Sequence, residues 1–266
     1  MIEIKTPHDT YFKASFSDVD VAKDFLITYL PKSILKCVDL STLELQKDSH
    51  VDKKLKEHFS DILYRVDINN NEGYFYLLAE HKSYNDKLSI LQLLRYMINI
   101  WESKIVKEKQ KNLPIIIPML IYHDKVSWKA HMRLSDWIEG YDDLSDEVKG
   151  YIPDYEYILH DLGKYAKENL CKDIRTRLVI EILDKGRYSS LEELKELISK
   201  SIQVMMELKL KGESTDLIQS TIKYILSTRN DISTEEMVRI AETVSEDGGE
   251  IIMTVAEELI QKGLQA

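Results

Sequence analysis

Apolar and polar positions along the chain fall into two regimes, and the change between them comes near residue 165. Before it, helical spacing alternates with strand-like runs. HDTYFKASFSDVDVAKDFLITYL (8–30) carries aromatic and aliphatic groups at helical spacing until Pro31 stops the pattern. ILKCVDLSTLELQK (34–47) places Val38, Leu40, Leu43 and Leu45 as one strand or two short ones. FSDILYRVDINNNEGYFYLLAEHKS (59–83) reads as two apolar strands joined at NNNEG (69–73), whose residues tolerate positive φ, so an antiparallel hairpin is expected. DKLSILQLLRYMINIWESKIVKE (86–108) spaces Leu88, Leu91, Leu94, Ile98 and Trp101 as the apolar stripe of an amphipathic helix. IIIPMLIYHD (115–124) is a continuous apolar run, as a strand buried on both faces would be. Its Pro118 cannot donate to a ladder, which points to an edge, a bulge or a distortion. YEYILHDL (155–162) supplies one more strand. Strand, strand, helix, strand is the order of a mixed α/β sheet with a crossover helix.

From KYAKENLCKDIRTRLVIEILDKG onward the pattern is helical, with breaks at GRYSS, KGEST and EDGGE. Ser190 and Thr234 read as helix N-caps. The expected organisation is a sheet-bearing domain over residues 1–165 and a helical C-terminal region over 166–266, serving oligomerisation or regulation. Ile240, Val244, Ile251, Val255 and Leu259 form stripes suited to packing or self-association. Trp101, Trp128 and Trp137 read as core.

Composition narrows the setting. With 44% hydrophobic and 31% charged residues, the chain has the balance of a soluble globular protein. Its N-terminus, MIEIKTPHDTYFK, lacks the apolar core of a signal peptide, and LPIIIPMLIY is too short to span a bilayer. Cys37 and Cys171 have no metal-ligand spacing and fit a reducing compartment. The expectation is a cytoplasmic protein with no membrane contact. A net charge of −10 counts against nucleic-acid binding, although bound divalent metal can invert a local field. The basic stretches DKKLKEH (52–58) and ESKIVKEKQKN (102–112) read first as solvated helix faces.

The candidate chemistry lies at the ends of the hairpin strands. Glu80 and Lys82 are two apart on a strand and share a face. Asp61 begins the partner strand, at the same end of the hairpin. Two carboxylates there offer hard oxygen ligands for Mg2+. Such a metal lowers the pKa of a bound water and neutralises charge building on phosphate oxygens. A lysine beside it can orient or deprotonate the water, or stabilise the transition state. The plainer reading is an exposed strand face with alternating charges. Against it, GYFYLLAE is apolar on both faces, so Glu80 ends a strand that should be buried and needs a partner or a metal. In HDTYFK, His8, Asp9 and Lys13 have two readings: Asp9 and Lys13 face DNA phosphate or the metal shell, or Asp9 favours the dipole at a helix start. His81 and His123 read as structural or surface residues.

These residues resemble the PD-(D/E)XK nuclease superfamily, with Asp61 as the first acid and Glu80-His81-Lys82 as the (D/E)-x-K element. Gln92 and Tyr96, in QLLRY, are similar to the Q-x-x-x-Y element of its exonuclease-like branch. More closely, HDTYFKASF (8–16), EHKS (80–83), LLRYMINIWE (93–102), LPIIIPMLIYHDKVSW (113–128) and IIMTVAEELIQKG (251–263) resemble, in order, the Rpn family of recombination-promoting nucleases, also called YhgA-like. Many members carry Gln at the position of Lys82, and a Gly at that of Asp124.

The resemblance implies a PD-(D/E)XK, restriction-endonuclease-like mixed sheet flanked by helices, followed by an all-helical C-terminal region. It implies a metal-dependent DNA endonuclease in which Asp61 and Glu80 hold Mg2+ (or Mn2+ or Ca2+), Lys82 acts on the water or the transition state, and Gln92 assists. In-line attack would leave a 5′-phosphate and a 3′-hydroxyl. The implied setting is recombination, mobile-element biology or phage defence. Implied partners are DNA, a second copy joined through the C-terminal helices, and a small in-frame C-terminal product that restrains the nuclease; Met205 and Met206 precede a helical unit of that kind, and read first as core methionines. The alternative is a catalytically silent nuclease fold that docks on DNA or acts in a toxin–antitoxin pair, which the acidic net charge supports. A strand transferase is a third reading, and requires joined products.

Overall fold

The computed structural model describes residues 7–46, 60–80, 88–123, 128–163, 165 and 170–261. The chain forms two compact units, Tyr29–Asp161 on the one hand and Met1–Thr28 with Leu162–Ala266 on the other. The first helices, α1 (Pro7–Phe16) and most of α2 (Val19–Tyr29), thus group with the C-terminal helices. The linear pattern, with its single change near residue 165, does not reveal that grouping.

The first unit holds α3 (Lys32–Leu35), β1 (Val38–Leu45), β2 (Ser60–Ile68), β3 (Asn71–Glu80), α4 (Ser89–Val106), β4 (Ile115–Tyr122), α5 (Asp146–Lys149) and β5 (Ile158–Asp161). Its strands form one sheet in the order β1-β2-β3-β4-β5. The β1/β2 and β2/β3 pairs are antiparallel, and β3/β4 and β4/β5 are parallel. This is the mixed α/β sheet expected, with α4 as the crossover from β3 to β4. The β2–β3 turn is tighter than NNNEG suggests. Ile68 pairs with Asn71, and only Asn69 (φ 49°) and Asn70 (φ 62°) lie between them. Positive φ at both central residues is the two-residue turn whose twist matches that of its strands, and asparagine tolerates it. β1 is a single strand with an irregularity, since Asp39 faces Asp67 while Glu44 faces Arg65. Thr42 Oγ1 fills the gap by accepting the Asp67 N–H at 2.9 Å. Pro118 is tolerated because β5 pairs only from Met119 onward, so β4 is still an edge on that side where the proline sits.

The apolar stripe expected on α4 faces the wrong way. Leu88, Leu91 and Ile98 are exposed, whereas Ile90, Leu93, Tyr96, Met97 and Ile100 are buried. The helix carries two apolar stripes, and period alone cannot choose between them. The sheet takes the one bearing Tyr96, which packs with Tyr74, Tyr76 and Leu78 of β3 and Leu120 and Tyr122 of β4. Trp128 and Trp137 pack against this core, and Trp101 Nε1 donates to the Pro114 carbonyl at 2.9 Å. Within the basic stretch 102–112, Lys104 is not solvated. It is buried between Glu72 (3.5 Å) and Glu108 (2.9 Å), over the Tyr74 ring. The other basic stretch, 52–58, lies outside the described residues.

The second unit packs α1 and α2 with α6 (Ile174–Lys185), α7 (Leu191–Lys211), α8 (Asp216–Thr228), α9 (Thr234–Val244) and α10 (Gly248–Gln261). The pattern over 8–30 is broken at Asp18, whose Oδ1 accepts the N–H groups of Asp20 (2.9 Å) and Val21 (3.3 Å) and so starts a new helix. Ser190 caps α7 in a full capping box with Glu193. At α9 the cap is Ser233 rather than Thr234, because Ser233 Oγ accepts the Glu236 N–H at 3.1 Å. Of the C-terminal stripe, Val255 is buried and Ile240, Val244 and Ile251 are half-buried. Met205 is a buried core residue in the middle of α7. Cys37 and Cys171 are free thiols, the first half-buried and the second buried. Among the described residues, no helix is long and apolar enough to cross a membrane.

Candidate active site

β3, β4 and β5 run in parallel and end together. Glu80 pairs with Tyr122, and Tyr122 with Asp161. β2 runs the other way and starts at this same end, where Asp61 pairs with Leu78. By strand alternation Asp61, Tyr76, Leu78 and position 80 share one face, the face covered by α4. Two of the acids singled out in the sequence thus stand at one end of the sheet, on adjacent strands. It is also the end that α/β sheets use for ligands, the carboxyl ends of the parallel strands. Lys82 and His81 lie outside the described residues.

Asp61 is half-buried and is held from below. Tyr76, fully buried in β3, donates its hydroxyl to Asp61 Oδ2 at 3.2 Å. The Tyr76 ring stacks on Tyr96 of α4, with centroids 4.8 Å apart and planes 30° apart. Burial first, and the Asp61 charge second, push both phenols above the ordinary tyrosine range. Both therefore stay protonated at neutral pH and serve as donors. Of the Q-x-x-x-Y pair, Tyr96 reaches Asp61 indirectly, by stacking on the tyrosine that holds the carboxylate. One turn earlier on α4, Gln92 is half-buried. Its Nε2 is buried and makes no hydrogen bond among the described residues. A buried amide donor without a partner is costly.

Two residues at this end were not picked out from sequence. Tyr76 sits inside an apolar run, where a tyrosine looks like core. Asp161, buried at the end of β5 beside Tyr122, stands in the same cross-strand row as Glu80. Its signal was the aspartate next to last in YEYILHDL. His8, Asp9 and Lys13 lie on α1, in the other compact unit, where buried His8 bonds Tyr224 Oη through Nδ1 at 2.9 Å. Nearby, Tyr11 stacks on Tyr224 and bonds Thr221 at 3.1 Å. His8 is part of a packed polar link. His123 is buried directly after β4.

The family described as "Putative transposase, YhgA-like" matches residues 6–216. The chain is 30% identical over 257 residues to the recombination-promoting nuclease RpnD of Escherichia coli O157:H7, covering 96% of this chain and 94% of that protein. It is 29% identical over 262 residues to the recombination-promoting nuclease RpnA of Escherichia coli strain K12, covering 98% and 86%. It is 26% identical over 264 residues to the inactive recombination-promoting nuclease-like protein RpnE of that strain, covering 98% and 83%. No solved structure matches.

Proposed function

The chain belongs to the YhgA-like transposase family, and we propose that it is a metal-dependent DNA endonuclease of the PD-(D/E)XK type, with its active site at the Asp61 end of the sheet. Relatives named as recombination-promoting nucleases support a nuclease role in recombination. The observation that carries the finer reading is Asp61 itself, a half-buried carboxylate locked by a buried tyrosine at the strand end where Glu80 also stands.

The donor chemistry at this end fits a hard divalent cation. Asp61 and Glu80 would supply carboxylate oxygens, the hard ligands that suit Mg2+, an ion that keeps places for water and substrate oxygens. Mg2+ held by Asp61 and Glu80 would neutralise phosphate charge and favour ionisation of the attacking water. The residues do the rest. Tyr76 fixes the Asp61 carboxylate, and Tyr96 packs against the Tyr76 ring. Gln92 would donate from Nε2 to a phosphate oxygen, and Lys82 would orient the water or meet the charge that develops on the phosphate. Products would carry a 5′-phosphate and a 3′-hydroxyl. The setting is cytoplasmic, with DNA as partner and mobile-element or phage-defence biology as context. The C-terminal helices, or a small in-frame product of them, would regulate it.

Replacing Tyr76 with phenylalanine keeps the stacked ring and deletes only the hydroxyl that holds Asp61. Turnover should fall about 10–100-fold, the usual cost of losing a group that orients a metal ligand. DNA affinity in gel shifts should stay unchanged. Equal turnover in wild type and variant would remove Tyr76 from the site.

The second reading, a catalytically silent docking protein, is favoured by the relative named as inactive and by the net charge of −10. Asp61, Glu80 and Lys82 are all present, which argues against decay. The deciding experiment incubates supercoiled plasmid with purified protein and Mg2+, Mn2+, Ca2+ or EDTA. Nicked and then linear DNA with Mg2+ or Mn2+, and none with EDTA, is expected. Intact plasmid with every cation, with gel-shift binding retained, would favour the docking reading.

A further inference from the structure

The outward stripe of α4 raises a separate question. Leu91 (38% exposed), Ile98 (43%) and Ile105 recur every seven residues, with half-buried Trp101 between the last two, while Leu94 leans on the sheet core. That is the spacing of a helix-pairing seam rather than of scattered surface leucines. The patch continues off the helix. Trp101 is tied to the Pro114 carbonyl, and the flanking Leu113 and Ile115 are exposed. An apolar surface of this extent in a water-soluble protein marks an interaction site.

Its charges say which partner fits. Arg95 and Glu102, both exposed, border the seam on one side and make no ion pair with any described residue. They are seven residues apart and cannot meet within one helix, where pairs need a spacing of three or four. An antiparallel second copy of α4, related by a two-fold axis crossing near Ile98, sets Arg95 of each copy beside Glu102 of the other. The contact is then made twice by symmetry, as an isologous interface requires. Ile98 packs near the axis against its own copy.

We propose that α4 is a self-association surface: two copies of this chain pair antiparallel through the Leu91–Ile98–Ile105 seam, with Arg95 and Glu102 setting direction and register. This places the dimer contact on the sheet-bearing unit, in addition to whatever the C-terminal helices do. It also couples assembly to the helix that carries Gln92 and Tyr96 on its other sides.

Sedimentation equilibrium of the full chain tests it. Wild type should self-associate to a dimer. Ile98→Asp, at an exposed position that leaves the core untouched, should raise the dissociation constant about a hundredfold or more, since it sets two like charges together on the axis. Arg95→Glu should weaken the dimer about tenfold or more, and Arg95→Glu combined with Glu102→Arg should restore it. A monomer at 100-micromolar-scale concentration (roughly the weak limit of specific homodimers), or a dimer that survives Ile98→Asp unchanged, would overturn the proposal. So would failure of the double charge swap to recover affinity while thermal melts show every variant folded.

Discussion

Replacing Asp61 with asparagine should lower DNA cleavage by at least about a hundred- to a thousandfold, the range seen when one preorganised electrostatic group is lost from an active site. The substitution is nearly isosteric and keeps an oxygen to accept the Tyr76 hydroxyl, which now stands 3.2 Å from the carboxylate. It removes the negative charge, and with it the hard ligand that the reading requires. Asp61 is half-buried, and asparagine matches its shape and keeps the oxygen that meets the phenol, so the fold should tolerate the change. Thermal melts of the variant should overlay wild type within a few degrees. Plasmid-nicking rates under saturating Mg2+ provide the readout. Cleavage that persists in pure Asp61→Asn protein would move the chemistry away from this end of the sheet.

The second large effect concerns stability and pH. His160 of β5 has no exposed surface, and burial holds its pKa down at about 4 against an ordinary value of 6.5. The sign follows from proton counts. Between pH 6.5 and 4 the unfolded chain binds a proton at this imidazole that the folded chain does not. Stability from this group is therefore complete above pH 6.5 and is lost steadily as pH falls toward 4, to a total of about 3 kcal/mol. Carboxylates titrate mostly below this window and add their own losses later. Urea unfolding at several pH values, for wild type beside His160→Gln, separates the two. The wild-type curve should fall between pH 6.5 and 4, and the variant should lack that fall. Parallel curves would show that the ring gains a proton within the fold.

Local chemistry that acts over a few residues was legible in the chain. The Asn-rich turn, the strand that follows it and the crossover helix all follow from period and turn residues, and Pro118 announced the ragged edge of β4. Asp61 and Glu80 could be placed at one end of a hairpin because antiparallel register follows from a tight turn. The face of α4 was not legible, since Leu91–Ile98 and Leu93–Tyr96–Ile100 are both apolar stripes and only the sheet decides between them. The break at Asp18 was hidden by apolar residues that keep helical phase across it. The pairing of α1 with α8 rests on contacts such as Tyr11–Thr221, some two hundred residues apart, for which no local pattern exists. Tyr76 was missed for a related reason: what matters is its hydroxyl, and a sequence shows only an aromatic residue in a buried strand.

The most direct test of the central claim locates the cation on the chain. Fe2+ replaces Mg2+ in many oxygen-ligand sites, and with ascorbate and peroxide it generates radicals that cut the polypeptide close to where the ion sits. Mass spectrometry of the fragments should find cuts around Asp61 and around Glu80, suppressed by excess Mg2+ and absent from Asp61→Asn. Cuts elsewhere, or cuts at this end that are indifferent to Mg2+ and to the substitution, would contradict a metal site built on these two acids.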